Sequence, residues 1–262
     1  MPSFTDIHCH LLPGLDDGPA SMEESLELAR AAAAGGTGAI VATPHVRRDF
    51  ITDPSDFPDR VREVEARLAD AGIPLDVHVG GELGHDMVGT LDQRDLETIA
   101  QGPSHARWLL LETPFDGLDE EVHAATDELR DRGFGVVLAH PERGRALLED
   151  GRRDLLWREL LRGTMLQINA WSLAGGYGAE AEEVALRLLR DGLVDVVASD
   201  AHPGWRAPTL GVGLERSRDA GLDEAAAVRL VTATPSGLMN RGFVPWVPAQ
   251  RLSRLSEAPS SR

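Results

Sequence analysis

Several histidines and carboxylates in this chain are spaced as metal ligands often are. His8 and His10 are two residues apart near the start, and Asp200 and His202 repeat that spacing near the end. Alternation along a β-strand puts residues i and i+2 on one face, so each pair could bind one ion, while Cys9 faces the other way. Imidazole and carboxylate ligands without a thiolate suit Zn, Mn or Fe.

More residues of these types follow other short apolar runs. The full set of candidate metal ligands is His8, His10, Asp17, His45, Glu82, Glu112, His140, Asp200 and His202. A lone His or Glu at a strand end is more often a surface or capping residue, but so many at equivalent positions are difficult to produce by chance. The set exceeds what one ion needs, so we expect two or three divalent ions bridged by a carboxylate.

One chemistry that such a site supports is metal-assisted hydrolysis, for example of a phosphate monoester. Clustered dications lower the pKa of a shared water and hold phosphate oxygens, so the expected nucleophile is a metal-bridging hydroxide. Arg143 and Arg206 each follow a ligand strand by a few residues, and the planar fork of arginine suits bidentate phosphate binding. A surface salt bridge is the alternative role for either arginine. Cys9 is not followed by a phosphate-binding Gly/Arg loop, which argues against a cysteine-based mechanism.

The elements that would position these residues alternate along the chain. Short apolar runs predict strands at 4–10, 38–45, 75–82, 107–113, 135–140, 165–170 and 194–200. Helical patterns follow at 25–34, 61–71, 119–132, 153–162 and 179–191, and Ser21 with Glu24 matches a capping box. This order predicts an α/β fold with a parallel sheet, and the strand number and chain length favour one barrel over an open sheet. Six of the seven predicted strands have a candidate ligand at the carboxyl end, where barrel enzymes have their active sites.

Composition limits the other classes of function. The chain has 43 Asp and Glu against 26 Lys and Arg, a formal charge of −17, which disfavours binding to nucleic acids or anionic membranes. Its single cysteine cannot form an intramolecular disulfide. We find no apolar run of membrane-spanning length and no signal-peptide pattern at the start, so the expectation is a soluble cytoplasmic protein.

Other polar and aromatic residues carry weaker signals. We expect His78 to pack inside the barrel and His105 and His123 to lie on the surface. Trp171 and Trp205 fall on the loops after the last two predicted strands. Hydrophobic packing is the default for both, although either could flank a substrate ring.

The opening of the chain resembles that of a known enzyme family, the bacterial tyrosine phosphatases of the PHP (polymerase and histidinol phosphatase) superfamily. The resemblance lies in Asp6-Ile7-His8-Cys9-His10-Leu11-Leu12-Pro13-Gly14-Leu15-Asp16-Asp17-Gly18-Pro19. Further matches are Ala42-Thr43-Pro44-His45, Gly81-Glu82, His140-Pro141-Glu142-Arg143, Gln167-Ile168-Asn169-Ala170, Ser199-Asp200-Ala201-His202 and Arg206. The resemblance runs from about residue 5 to about residue 240.

The resemblance implies a single-domain, distorted (β/α)7 TIM-like barrel with three divalent metals, most often Mn, with Fe, Zn and Mg as alternatives. One ion would be held by His8, His10, Glu82 and Asp200, a second by Asp17, His45 and His202, and a third by Glu112 and His140 with Glu82 bridging. It also points to Arg143 and Arg206 as phosphate clamps. The Gly84-His85-Asp86 stretch and the two tryptophans are less typical and leave the substrate range open.

The implied activity is hydrolysis of protein phosphotyrosine on a bacterial tyrosine kinase that regulates capsule or exopolysaccharide synthesis. The domain would cover 1–247, with a flexible tail at 248–262. One alternative is a phosphatase of the same superfamily for a small phosphoester such as histidinol phosphate or a nucleotide. More distant ones are an amidohydrolase, for which the chain lacks a lysine at a strand end, and a non-catalytic metal-binding scaffold.

Overall fold

The predicted strands are present, and two of them are interrupted. The computed structural model describes residues 3–149 and 151–245, so the predicted tail at 248–262 lies outside the described residues. The strands are β1 Phe4–Cys9, β2 Thr37–Ala42, β3 His45–Val46, β4 Asp76–Val79, β5 Glu82–Leu83, β6 Trp108–Glu112, β7 Gly135–Ala139, β8 Met165–Asn169 and β9 Val196–Ala198. All pairs are parallel, in the orders β1-β2-β4 and β3-β5-β6-β7-β8-β9.

The strands together form one continuous wall of parallel strands, which we call the barrel wall. The breaks between β2 and β3 and between β4 and β5 divide this wall into two sheets. Pro44 lies in the first break and has no amide hydrogen to continue the ladder. Gly80 lies in the second, where a β-carbon would collide with the side chain of Val41. Counted across the breaks, seven strand segments follow one another around the wall.

The last segment lies beside the first. Cys9 and Ala201 form a parallel bridge, and the Asp200 amide donates to the carbonyl of His8 over 2.8 Å. The His10 amide donates to the carbonyl of Ala201 over 3.1 Å. These contacts join β1 to the residues after β9 at the carboxyl ends of the strands, in agreement with the predicted barrel type.

The helices pack around this wall. They are α1 Met22–Ala34, α2 Phe57–Asp70, α3 Gln93–Ile99, α4 Glu120–Asp131, α5 Arg152–Leu161, α6 Ala170–Leu173, α7 Ala179–Arg190, α8 Leu210–Asp219, α9 Glu224–Val231 and α10 Ala233–Arg241, with 3-10 turns at His85–Met87 and Pro141–Arg143. The five predicted helices correspond to α1, α2, α4, α5 and α7. Within the described residues, no helix is both long enough and apolar enough to cross a bilayer.

The predicted capping box at the start of α1 forms only in part. The Ser21 hydroxyl accepts a hydrogen bond from the Glu24 amide over 3.3 Å, as expected. The Glu24 carboxylate, however, accepts from the amide of Ala20 over 2.8 Å rather than from that of Ser21. Each of the two side chains therefore still accepts a hydrogen bond from one backbone amide at the start of the helix.

The interior of the wall is apolar below the site. Ile7, Val41, Trp108, Leu110 and Val137 belong to one buried cluster that is separate from the clusters beneath the helices. Strands buried on both faces are expected to be almost continuously apolar, as β6 and β7 are. This packed interior leaves the carboxyl ends of the strands as the place where polar side chains converge.

Two of the weaker histidine predictions were wrong. His78 on β4 is exposed and does not pack inside the barrel. His123 on α4 is buried, because it pairs with the buried carboxylate of Glu159 on α5. His105 is exposed, as predicted.

Candidate metal centre

All nine predicted ligands lie at the carboxyl end of the wall, and their donor atoms fall into overlapping groups. The groups that could each hold an ion are His10 with Asp17, His45 and His202; His8 with Glu82 and His140; His8 with His10 and Asp200; and His45 with Glu82 and Glu112. Glu82 and three of the histidines belong to two groups each. A site with shared ligands suits more than one ion.

The centre of the site is the pair of carboxylates that faces His8 of β1 and His10 just beyond its end. His8 Nε2 lies 3.3 Å from Glu82 Oε2 and 3.4 Å from Asp200 Oδ1. His10 Nε2 lies 3.3 Å and 3.5 Å from the same two oxygens. Donor atoms that share an ion at bond lengths of about 2.1 Å are separated by roughly 3.0–3.4 Å, and these four distances lie within or just above that range.

Several buried donor atoms at this point have no hydrogen-bond partner among the described residues. They are His8 Nε2, His10 Nε2, His45 Nδ1, Glu82 Oε2 and His140 Nδ1. Buried polar atoms are nearly always paired in proteins, and leaving one unpaired costs about 1–3 kcal/mol. Their convergence fits a divalent cation, which satisfies nitrogen and oxygen lone pairs together.

A second group lies nearer to solvent. The Asp17 carboxylate is 3.1 Å from His202 Nε2 and 3.6 Å from His45 Nε2, and the rings of His10 and His202 are 4.0 Å apart. The side chain of Asp17 is 46% exposed, whereas those of its histidine neighbours are almost buried. An ion here would be reached from the open side, as a catalytic ion must be.

Glu112 and His140 belong to different groups, both of which include Glu82. His140 Nε2 lies 2.7 Å from Glu82 Oε1. Glu112 accepts two hydrogen bonds from one nitrogen of Arg47, over 2.8 and 2.9 Å, and its carboxylate is 3.9 Å from His45 Nδ1. Glu82 therefore lies between these two residues.

The carboxylates and imidazoles of the centre shift one another's pKa values. Burial would raise the pKa of Glu82, but His45, His8 and their neighbours outweigh it and hold that pKa well below its usual range. Burial, with Arg143 nearby, lowers the pKa of His140 to about 4, although its bond to Glu82 opposes this shift. Burial would lower the pKa values of His8, His10 and His45, but the neighbouring carboxylates outweigh it and raise them. These imidazoles therefore hold protons more tightly in the metal-free site, and an ion would have to displace those protons to bind.

Two of the candidate ligands have unusual backbone conformations. His140 has φ 37° and Asp200 has φ 50°, both in the left-handed region that L-residues with a side chain rarely adopt. His140 directly follows β7, Asp200 comes two residues after the end of β9, and both turn their side chains towards the centre. Such strain persists where surrounding structure requires it, and it is concentrated at functional sites.

Three further side chains orient the ligands, and the sequence analysis assigned none of them a role. Asp16 Oδ2 lies 2.6 Å from His10 Nδ1, and Gln167 Oε1 lies 2.9 Å from His8 Nδ1. The Asn169 amide donates to Asp200 Oδ2 over 2.7 Å. All three stand in the motifs that carry the resemblance, but their role depends on contacts across the site, which spacing alone does not reveal.

The two predicted phosphate-binding arginines meet at Asp200. Arg143 donates to Asp200 Oδ2 over 3.1 Å, and Arg206 contacts the same oxygen. The Arg143 side chain is 14% exposed and Arg206 is 4% exposed, so neither forms the surface salt bridge considered as an alternative. Their guanidinium groups lie next to the candidate ligands, where an anion would be bound.

The remaining residues near the site are Cys9 and two tryptophans. Cys9 is fully buried among apolar side chains, and burial raises the pKa of its thiol well above the usual range, as expected for a packing residue. A cleft of about 350 Å³ lies beside His202 and is lined by Trp171, Trp205 and two glutamates of α1. Trp205 is 53% exposed, so packing does not account for most of its surface.

A parallel α/β barrel with clustered His, Asp and Glu at the carboxyl ends of its strands defines a hydrolase of the TIM-barrel-like class. The E. coli phosphotriesterase homology protein shares this fold at 16% identity and a TM-score of 0.56, over 90% of this chain and 98% of that one. A more specific match covers residues 4–240, which fit the family model "Capsular polysaccharide synthesis, CpsB/CapC". The chain belongs to this family.

Relatives of known activity agree with this assignment. The tyrosine-protein phosphatase YwqE of Bacillus subtilis is 34% identical over 198 residues, which are 75% of this chain and 76% of the relative. The tyrosine-protein phosphatase CpsB of Streptococcus pneumoniae is 30% identical over 209 residues, 75% of this chain and 82% of the relative. A crystal structure from work on YwqE and CpsB as metal-dependent tyrosine phosphatases matches with a TM-score of 0.79 and 30% identity, over 92% of this chain and 96% of that one.

Proposed function

We propose that this chain is a metal-dependent phosphatase that hydrolyses protein phosphotyrosine. The observation that carries the proposal is the convergence of unpartnered buried donor atoms from His8, His10 and Glu82 beside the guanidinium groups of Arg143 and Arg206. Clustered cations next to two arginines match the charge of a phosphate dianion. The relatives that share the family are named tyrosine-protein phosphatases.

The ligands that we propose are the nine residues predicted from the sequence, holding two or three divalent ions. Nitrogen and carboxylate donors without thiolates suit Mn, with Fe, Zn and Mg as alternatives. When bound, such ions supply an activated water and neutralise charge on the phosphate oxygens. Asp16 and Gln167 would keep His10 and His8 in the tautomer that points Nε2 at the ion.

The protein's own contribution to phosphate binding comes from Arg143 and Arg206. Both ion-pair with Asp200, which fixes the guanidinium groups beside the centre before substrate arrives. A fixed planar fork can bind two phosphate oxygens and stabilises charge that builds up on them during in-line attack. The tyrosine phenolate is a better leaving group than an alkoxide, so we assign no general acid.

We further infer that the natural substrate is a phosphotyrosine protein in the cytoplasm, in particular a bacterial tyrosine kinase that controls polysaccharide synthesis. Support comes from the family, which is defined by capsular polysaccharide synthesis, and from the phosphatase names of the relatives. A small phosphoester such as histidinol phosphate is the competing substrate, because it would use the same metal ligands.

The test is release of phosphate by the metal-stripped protein with and without added Mn²⁺. The substrates would be a phosphotyrosine peptide, histidinol phosphate and a neutral ester. Mn-dependent hydrolysis of the peptide is the expected result. Turnover of histidinol phosphate alone would leave the metal centre in place and contradict the substrate assignment, and hydrolysis of the neutral ester alone would contradict phosphatase activity altogether.

A further inference from the structure

Exposed aromatic side chains are concentrated around the metal centre. Of the five large apolar side chains that are exposed among the described residues, Phe50, Phe115 and Trp205 are aromatic, with 40%, 51% and 53% of their surface exposed. They lie on three different loops, after β3, β6 and β9. Exposed apolar patches on soluble proteins often mark binding surfaces.

Each of these rings packs on a side chain of the site. Phe50 stacks on His45 with ring centroids 4.9 Å apart. Phe115 lies over Arg143, whose guanidinium carbon is 4.7 Å from the ring centroid. Trp205 lies over Arg206 at 4.2 Å. We call these three rings the aromatic rim.

We propose that the aromatic rim binds the phenyl ring of the phosphotyrosine and so selects aryl over alkyl phosphates. The rim contacts a candidate metal ligand and both arginines, so the ester group of a phosphate held at the centre would lie near these rings. Aromatic pairs in offset or edge-to-face geometry are stabilising beyond their buried area, and an alkyl phosphate cannot form them. This inference rests on the proposed function, since it names how that site would recognise its substrate.

Binding of two phosphonates to the Mn-loaded protein tests the rim without requiring turnover. Phenylphosphonate and methylphosphonate differ in the ring, and calorimetry gives both dissociation constants. We expect Phe115→Ala and Trp205→Ala each to weaken phenylphosphonate binding by about three- to tenfold. Methylphosphonate binding should change by less than about twofold on the same scale.

The matched control is Leu161→Ala, because Leu161 on α5 is also 53% exposed but lies outside the site. It should change neither dissociation constant. Equal weakening of both phosphonates in the rim variants, or no weakening, would overturn the role of the rim. If the unaltered protein binds both phosphonates but releases no phosphate from a phosphotyrosine peptide, the proposed function fails while the rim is still tested.

A second inference concerns Tyr177, the only tyrosine in the chain. It lies on the loop between α6 and α7, where Gly175 and Gly178 adopt φ 77° and φ 91°. Its ring centroid is 4.1 Å from the guanidinium carbon of Arg143 and 5.4 Å from that of Arg206. The tyrosine therefore covers both of the arginines that we assign to phosphate.

The hydroxyl of Tyr177 is buried and has no hydrogen-bond partner among the described residues. Burial, followed by the nearby Asp200 carboxylate, raises the pKa of this phenol, so it remains a donor at neutral pH. A buried donor without an acceptor is costly unless a ligand supplies one. The phosphate between Arg143 and Arg206 would be such an acceptor.

We infer that Tyr177 donates a hydrogen bond to the substrate phosphate. Tyr177→Phe removes the hydroxyl and keeps the ring that packs on the arginines, so it isolates this bond. Since hydrogen bonds to charged groups are stronger than neutral ones, we expect the affinity of the Mn-loaded protein for inorganic phosphate to fall about tenfold.

The melting temperature of the ligand-free variant provides the control for structure. It should be unchanged or slightly higher, because an unpartnered buried hydroxyl has been removed. Unchanged phosphate affinity in Tyr177→Phe would overturn the hydrogen bond. Loss of affinity together with a large drop in melting temperature would also overturn it, because the tyrosine would then act through the fold.

Discussion

Two buried groups of charged side chains in this protein look alike by composition and differ in how their atoms are paired. One is the candidate metal centre around Glu82, and the other is a network around Glu159 between α4 and α5. In the network, Glu159 accepts hydrogen bonds from Thr126 over 2.9 Å and from Thr164 over 2.7 Å. It also pairs closely with His123 and Arg130.

Within the described part of the chain, no buried polar atom of the Glu159 network lacks a partner, whereas the metal centre has five such atoms. Both groups contain a buried glutamate and at least one buried histidine. Burial and charge therefore do not distinguish a functional site from a structural ion pair. The distinction lies in whether the protein supplies every partner or leaves donor atoms for a ligand.

The largest expected effect comes from Glu82→Gln. It removes the charge that two candidate ligand groups share. Changes to residues that merely orient ligands already cost about 10- to 100-fold in metal affinity or activity, so we expect a loss of more than about 100-fold in kcat/KM for a phosphotyrosine peptide. Bound metal, measured by elemental analysis, should fall as well.

Stability of the metal-free form completes this test. The amide oxygen of the introduced glutamine would remain able to accept from His140, but the charged histidines around it would lose a buried carboxylate partner. The free energy of unfolding without metal should therefore fall, by less than the roughly 3–5 kcal/mol of a broken buried ion pair, because an imidazole can release its proton and an arginine cannot. Full activity in Glu82→Gln would mean that Glu82 is not needed for catalysis. Unfolding of this variant at room temperature would mean that Glu82 stabilises the fold in the way that we assign to Glu159.

The matched substitution in the network, Glu159→Gln, should have the opposite profile. It removes the buried carboxylate that faces Arg130 and His123 and leaves Arg130 paired with the partly exposed Asp127. Breaking a buried ion pair costs about 3–5 kcal/mol. Denaturant unfolding at pH 7 should show that loss, while kcat/KM with saturating Mn²⁺ stays within about twofold of the unaltered protein. A large loss of activity at full folding would mean that the network is coupled to the site.

The repeating pattern of strands and helices was readable from the sequence because each buried parallel strand is nearly all apolar. The predicted strands 38–45 and 75–82 are nevertheless each interrupted in the structure. Their breaks depend on Pro44, which cannot donate to the ladder, and on the close approach of Gly80 to Val41. The helices α3, α6, α8, α9 and α10 were not predicted. Among the described residues, no strand follows α8, α9 or α10 to mark the repeat.

The positions of the candidate ligands were readable for a similar reason: strand ends in a parallel barrel must meet. The contacts of Asp16, Tyr177 and Phe115 could not be predicted from the sequence, because each depends on the path of a loop. His123 shows the converse, since its helix position predicted exposure and only the neighbouring helix supplies Glu159. Pairing across the fold is the information that a single sequence lacks.

A weaker effect than loss of Glu82 is expected from Asp16→Ala. Asp16 holds His10 Nδ1 and also accepts from the amides of His45 and Gly18, over 2.9 and 3.0 Å. Outer partners of metal ligands contribute about 10- to 100-fold to affinity, so Mn²⁺ binding should weaken by that factor. Asp53→Ala is the control, because this exposed carboxylate accepts only from the nearby Ser55 amide in the described structure.

The smallest effect that we predict is the pH dependence of the stability that the Glu159 network contributes. Burial would raise the pKa of Glu159, but Arg130, Thr164 and His123 outweigh it and lower that pKa below its ordinary value. A carboxyl with a depressed folded pKa stabilises the protein above its unfolded pKa of about 4.3, and this contribution is lost as the pH falls further.

The gap in unfolding free energy between the unaltered protein and Glu159→Gln should therefore be widest at neutral pH and narrow below about pH 4.3. Denaturant titrations of both metal-free proteins at several pH values measure it, and the subtraction removes carboxylates common to the two. A gap that stays constant into acid would show that Glu159 acts through its shape and hydrogen bonds rather than its charge. The network would then differ from the metal centre in the role of charge as well as in the pairing of its atoms.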